Sequence, residues 1–179
     1  LAVSSYLYCK HKDKTLQSYH TDVKNAYFDQ FVGLEELMFY DYDAEQVDTA
    51  FNFLKVTPLK LDEIVSYPIL HEDKVYDILD YYPQIFVDIV NQTYMTGNTF
   101  YLDDKFWRSI ITKTPFIVQG SQNFLLNLKR LGFKTFDCWW DEGYSQDPPD
   151  YQVKLIIENL QMISTWDTQK LLKVYEEMK

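Results

Sequence analysis

The stretch that most limits what this chain can become runs from residue 94 to residue 136 and reads YMTGNTFYLDDKFWRSIITKTPFIVQGSQNFLLNLKRLGFKTF. A helical pattern opens at Asp103-Asp104-Lys105. A short apolar run, Phe116-Ile117-Val118, follows Pro115 and stops at Gly120-Ser121. Phe124, Leu125, Leu128 and Leu131 then recur at the three-and-four spacing of one helix face. Gly132 stands where a left-handed cap belongs, with Phe133 placed to pack back. Helix, strand, tight turn and helix in that order make an α/β layer, and the turn after the strand is where such sheets meet ligands. Gly120 permits a bend or a close backbone approach, and Ser121 is a good N-cap. Free N–H groups at that helix end would favour an anion. The same two residues also suit an ordinary strand-to-helix turn.

Residues 4–9, SSYLYC, have the look of a first strand, followed by a polar loop and a helix through Tyr27 and Phe28. Lys10, His11, Lys12 and Lys14 in that loop either meet a phosphate or are simply solvated. Gly33 ends the unit, and Leu37 to Tyr40 reads as a second strand. Asp43 caps a helix through Val47, Ala50, Phe51 and Leu54. Residues 55–70, with Pro58 and Pro68, read as a connector, and a short helix covers Asp73 to Leu79. Ile85 to Val90 is a buried strand. Asn91-Gln92-Thr93-Tyr94 lies at its carboxyl end, where an open α/β sheet presents polar groups to ligands. Trp139-Trp140-Asp141-Glu142-Gly143-Tyr144 is either a loop plugged into the core by tryptophans or a platform for a substrate or base with acids beside it. Asp147 caps a helix with Pro148 in its first turn. Val153, Ile156, Ile157, Leu160 and Ile163 form its apolar face, and a last helix uses Leu171, Leu172, Tyr175 and Met178.

With 179 residues, 46% hydrophobic and 17% aromatic, the chain can bury a core and is not of disordered composition. Its net charge of −10 argues against a general nucleic-acid binder. The basic residues gather in two islands, however. Residues 103–135 hold six Lys/Arg against two Asp, and residues 10–24 hold four Lys against two Asp. Islands of this kind suit a local anion site. No apolar run is long enough for a membrane span, and the first residues lack a signal-peptide pattern. Cys9 and Cys138 read as two buried thiols of a reducing, cytoplasmic compartment. No disulfide, metal site or cofactor is expected.

Several of these pieces together carry a resemblance. Gln92-Thr93-Tyr94, Leu102-Asp103-Asp104-Lys105-Phe106, Pro115 to Gly120, Leu128 to Phe136 and Trp139-Trp140-Asp141-Glu142-Gly143-Tyr144 resemble the ETY, ITEKTF, proline-led strand, LRELGFKTF and WWDESYD segments of an uncharacterised glycosyltransferase-like family of marine phages and metagenomes. The likeness covers about residues 85–163. That family is similar to the donor-binding half of fucosyltransferase-type (GT-B) enzymes, whose TEK-like motif contacts a nucleotide sugar. The resemblance implies a Rossmann-like three-layer α/β sandwich with a mainly parallel sheet. Residues 1–163 would form this single domain, with a C-terminal helix over 164–179. Lys105 would hold the diphosphate and Asp104 the sugar or ribose, and these two are the catalytic candidates. Arg108, Gly120, Ser121, Gln92, Thr93, Tyr94, Lys10, Lys12, Trp140 and Glu142 complete the candidate ligand shell. The implied partner is a nucleotide sugar or nucleoside diphosphate in a bacterial or phage-infected cell, with neither nucleic acid nor membrane, and a homo-oligomer stays open. Four positions depart from the family pattern. Gln92 replaces the Glu of ETY and cannot act as a base, Asp103-Asp104 replaces Thr-Glu and is one methylene shorter, and Gly143 replaces a Ser. A non-catalytic nucleotide or sugar-phosphate binder, or a structural protein that keeps only the fold, therefore stands beside the enzyme reading.

Overall fold

The computed structural model describes residues 1–17, 19, 43–57, 59–60, 63–64, 77–93, 95 and 99–178. The chain expected to form one domain over 1–163 divides into two compact units, Leu1–Asp73 and Lys74–Lys179.

In the first unit the expected strand over 4–9 is instead a helix, α1, Ala2–His11. An apolar run this short does not distinguish strand from helix by itself. Here Val3 and Leu7, four apart, are both buried, which is helix spacing. The decision comes from tertiary packing against α2, Ala44–Leu54. The Tyr8 ring lies 5.4 Å from Phe53, and the Cys9 thiol lies 3.8 Å from the Thr49 carbonyl. Helix α2 begins as expected at Asp43, whose carboxylate accepts from Gln46 N–H while the Gln46 side chain accepts from Asp43 N–H. This reciprocal pair satisfies two otherwise orphaned donors. Within the expected connector, β1 (Leu59–Lys60) and β2 (Glu63–Ile64) pair antiparallel. Tyr19 bridges to Leu59. The expected helix through Tyr27 and Phe28, its end at Gly33 and the expected strand at Leu37 to Tyr40 lie outside the described residues.

The second unit holds a mixed α/β arrangement, mostly helical, around a two-stranded parallel sheet. Residues 73–76 of the helix expected over 73–79 lie outside the described residues, and a 3-10 helix covers Asp77–Gln84. Strand β3, Asp88–Asn91, is shorter than expected and runs parallel to β4, Phe116–Gln119, with Asp88 opposite Phe116 and Asn91 opposite Gln119. Between them lies α3, Asp104–Thr112, so the unit is β-α-β. Helix α4 is Phe124–Arg130, α5 is Pro149–Ser164 and α6 is Thr168–Met178. Alternation along a strand sends Asp88, Val90, Phe116 and Val118 to one face. Phe106 of α3 meets the Phe116 ring there at 5.0 Å and the Phe124 ring of α4 at 5.7 Å. Gln119 points the other way, and its amide donates to the Pro149 carbonyl at the start of α5. The expected apolar face of α5 is buried at all five positions, whereas Leu172 of α6 is exposed and Val174 is the buried residue.

Both helices of the β-α-β-α run end in the same hydrogen-bond pattern. After α4, Gly132 sits at φ 91, Phe133 N–H donates to Leu128 O, and Gly132 N–H donates to Lys129 O. This is the cap that the glycine signals in sequence. After α3 the same bonds run from Thr114 to Ser109 and from Lys113 to Ile110, but the left-handed residue is Lys113, at φ 56. A side chain in that conformation is strained and glycine is not. Lys113→Gly relieves about 1–2 kcal/mol of left-handed strain against about 0.5–1 kcal/mol of added chain entropy, and should therefore raise stability by about 0.5–1 kcal/mol. A lower melting temperature in the variant would show that the lysine side chain has a stabilising role that outweighs the strain.

Candidate functional site

The carboxyl ends of β3 and β4 bring together part of the expected site. Asp103 is the N-cap of α3, and its side chain is only 4% exposed. Its Oδ1 accepts from Phe106 N–H at 3.0 Å, and its Oδ2 accepts from Thr93 N–H at 3.1 Å and Thr93 Oγ1 at 3.3 Å. One carboxylate thus ties the end of β3 to the start of α3. Lys105, on the first turn of α3, donates to Thr93 Oγ1 at 2.8 Å. Its Nζ lies 3.7 Å from Asp103 and 3.9 Å from Asp104, beyond hydrogen-bond distance. Asp104 is 78% exposed in its side chain. Gln92, next to Thr93, is 2% exposed. It lies across Gly120, where a Cβ would come within 3.3 Å of Gln92 Cγ and 3.1 Å of Phe124 Cδ2. Tyr94 lies outside the described residues.

The turn after β4 differs from the expectation. Gly120 N–H is not free for a ligand, because it donates to Gln152 Oε1, and Gly120 O accepts from Gln152 Nε2. Ser121 is not the N-cap of α4. The helix starts three residues later, after Asn123 at φ 65. Its first N–H groups already have acceptors. Ser121 O takes Phe124 N–H, Ser145 O takes Asn123 N–H, and Ser145 Oγ takes Leu125 N–H. The anion site expected at this turn is filled by the protein's own oxygens, two of them from Ser145, which lies twenty residues beyond Leu125. Asp147 likewise does not cap α5. Its carbonyl accepts from Gln152 Nε2, and Pro148 occupies the N-cap position.

Other candidates lie elsewhere. Helix α3 runs back along the sheet, so Arg108, one turn past Lys105, heads for the amino edge. There its charge acts on the Tyr82 phenol, which donates to Asp88 at 2.8 Å, and Ser109 donates to Asp88 at 2.7 Å. Asp88 is three residues before Asn91, about 10 Å along the strand. Trp140 is buried and stacks 5.1 Å from Phe136, whose own ring meets Phe116 at the start of β4. Glu142 accepts from Phe136 N–H at 2.7 Å and Thr135 Oγ1 at 2.6 Å, and Lys129 lies 3.2 Å away. These bonds fold the 133–142 loop onto α4, which is the core-plug reading of that stretch. In the first unit Lys10 pairs with Glu45 at 2.7 Å, and Lys12 sits 4.5 Å over the Tyr8 ring. With α1 a helix, the strand-loop-helix layout that suggested a phosphate loop there is gone. Cys9 and Cys138, expected to be buried, are both exposed. Among the described residues no His/Cys/Asp/Glu group could hold a metal ion, and no helix is long and apolar enough to cross a membrane.

Sequence reading missed Gln152. A glutamine within an amphipathic helix looks like surface, and only its burial beside Gly120 reveals its part. No protein-family model, curated protein or solved structure matches the chain.

Proposed function

We propose that the Lys74–Lys179 unit is a Rossmann-like, glycosyltransferase-like module that holds a nucleotide-sugar donor by its diphosphate at the carboxyl edge of β3 and β4. Lys105 carries the reading. An ammonium has three donors, and among the described residues Lys105 Nζ uses one of them, on Thr93. It stands on the first turn of a nine-residue helix, where the dipole favours negative charge. Asp103 is committed to the backbone and to Thr93. The exposed Asp104 pair is worth at most about 1 kcal/mol, so a diphosphate can displace it. In a transfer reaction the lysine would stabilise charge on the departing diphosphate, with Asp104 against the sugar or ribose.

Binding without transfer is the second reading. Gln92 carries an amide where a base would be needed, and Asp103, the buried carboxylate, already accepts three hydrogen bonds. Release of free sugar from a nucleotide sugar would favour the enzyme.

The test is calorimetric titration of several nucleoside diphosphates into the wild type and Lys105→Ala. The variant should melt near the wild-type temperature and lose affinity on the order of tenfold or more, as for a charge-assisted bond of about 1.5–3 kcal/mol. Equal binding by both proteins would remove Lys105 as the phosphate contact.

A further inference from the structure

The Gln92 carboxamide makes no hydrogen bond to any described residue, and its buried Nε2 has no partner. A buried amide donor left unpaired costs stability. Nearly all such groups in folded proteins are paired, and the exceptions need a reason. Packing does not force this one, because an unbranched apolar side chain would fill the same space. Nor is the position incidental. Gln92 directly follows the last residue of β3 and precedes Thr93, the residue that anchors Lys105. Gly120 leaves room for its stem, since a Cβ there would crowd both Gln92 Cγ and the Phe124 ring. Neighbouring Asn91 also has a buried unpaired atom, Oδ1, but strand alternation sends that side chain to the opposite face.

We infer that Gln92 is the specificity-determining residue of this edge, its buried carboxamide hydrogen-bonding to an uncharged oxygen, a hydroxyl, of the ligand's sugar or nucleoside part. The inference rests on the proposed function for the ligand's class. It divides the work at the edge by chemistry. Lys105, 41% exposed in its side chain, supplies charge for phosphate at the rim. Gln92, almost wholly buried and uncharged, suits an oxygen that carries no full charge. A site whose buried polar group is left unpaired by the wrong ligand rejects that ligand strongly.

Gln92→Met keeps an unbranched chain of similar length and removes the amide. The probes are inorganic pyrophosphate, uridine and guanosine diphosphates, UDP-glucose and GDP-mannose, read by calorimetry and thermal melting. The ligand-free variant should melt a few degrees above wild type. Its pyrophosphate affinity should stay unchanged, while its affinity for the nucleotide or nucleotide-sugar probe that wild type binds falls on the order of tenfold. The position in the ligand follows from which probe first shows the loss: the diphosphates place the oxygen on the nucleoside, the sugar conjugates alone place it on the sugar. A lower melting temperature would mean the donor is satisfied within the fold and would overturn the inference. So would equal affinity for every probe, or a loss for pyrophosphate as large as for the others. If wild type binds none of the probes, the proposed function fails and takes this inference with it. Binding lost on Lys105→Ala but kept on Gln92→Met leaves the function standing and removes only Gln92.

Discussion

Replacing Gln152 by leucine is expected to lower stability by about 3–5 kcal/mol, among the largest effects a single side chain here can have. The outer edge of β4 has no third strand among the described residues. Gln152 of α5 takes part of that place, since its Oε1 accepts from Gly120 N–H at 3.2 Å and its Nε2 donates to Gly120 O at 2.9 Å and Asp147 O at 2.9 Å. The side chain is 1% exposed. Leucine fills much of the volume but pairs with none of the three backbone groups. Each buried group left unpaired costs about 1–3 kcal/mol. Urea unfolding of the two proteins measures the difference. A loss below about 1 kcal/mol would mean that water reaches this edge and the glutamine is dispensable.

Alkaline pH should unfold the protein through Tyr144. Its ring is fully buried, and its hydroxyl accepts from Val118 N–H at 3.1 Å. Burial, with a smaller push from Glu142, holds the phenol far above its usual range, although the Val118 bond works the other way. In the unfolded chain the phenol ionises near pH 10. Between that pH and the folded value the unfolded state loses the proton and the folded state keeps it. The stabilisation is therefore fully present below about pH 10 and falls by about 1.4 kcal/mol per pH unit above it. Tyr82, raised by burial and by Asp88, acts with the same sign. Tyr144→Phe should be about 1–3 kcal/mol less stable at neutral pH, because Val118 N–H loses its acceptor, yet lose less stability between pH 9 and pH 11.5. Denaturant curves across that range compare the slopes, and identical slopes in both proteins would rule Tyr144 out as the titrating group.

Lys105 and Gln152 differ in how far each could be read from the chain. Lys105 belongs to a local pattern, an Asp-Asp-Lys helix start, and the structure finds that start with Asp103 as cap. Gln152 sits thirty-two residues from the glycine it holds, and no local pattern links the two. Distance in sequence also explains the turn after β4. The residues Gly120-Ser121 are right for an anion site by their own propensities. Ser145, brought over by the 143–146 turn, occupies the N–H groups such a site would use.

Local sequence was sufficient where one segment satisfies its own backbone. The Asp43 capping box and the Gly132 cap are settled within a few residues by hydrogen bonds, and the apolar face of α5 by periodicity. Tertiary structure decided what depends on a distant partner. It made residues 2–11 a helix against α2 rather than a strand, and it turned Arg108 to the amino edge. It also drew Trp140 and Glu142 into the packing of the 133–142 loop, and it left Gln92 buried with an unpaired donor. In each of these cases the free energy lies in groups that meet only after the chain has folded back on itself, and spacing along the sequence carries no record of that meeting.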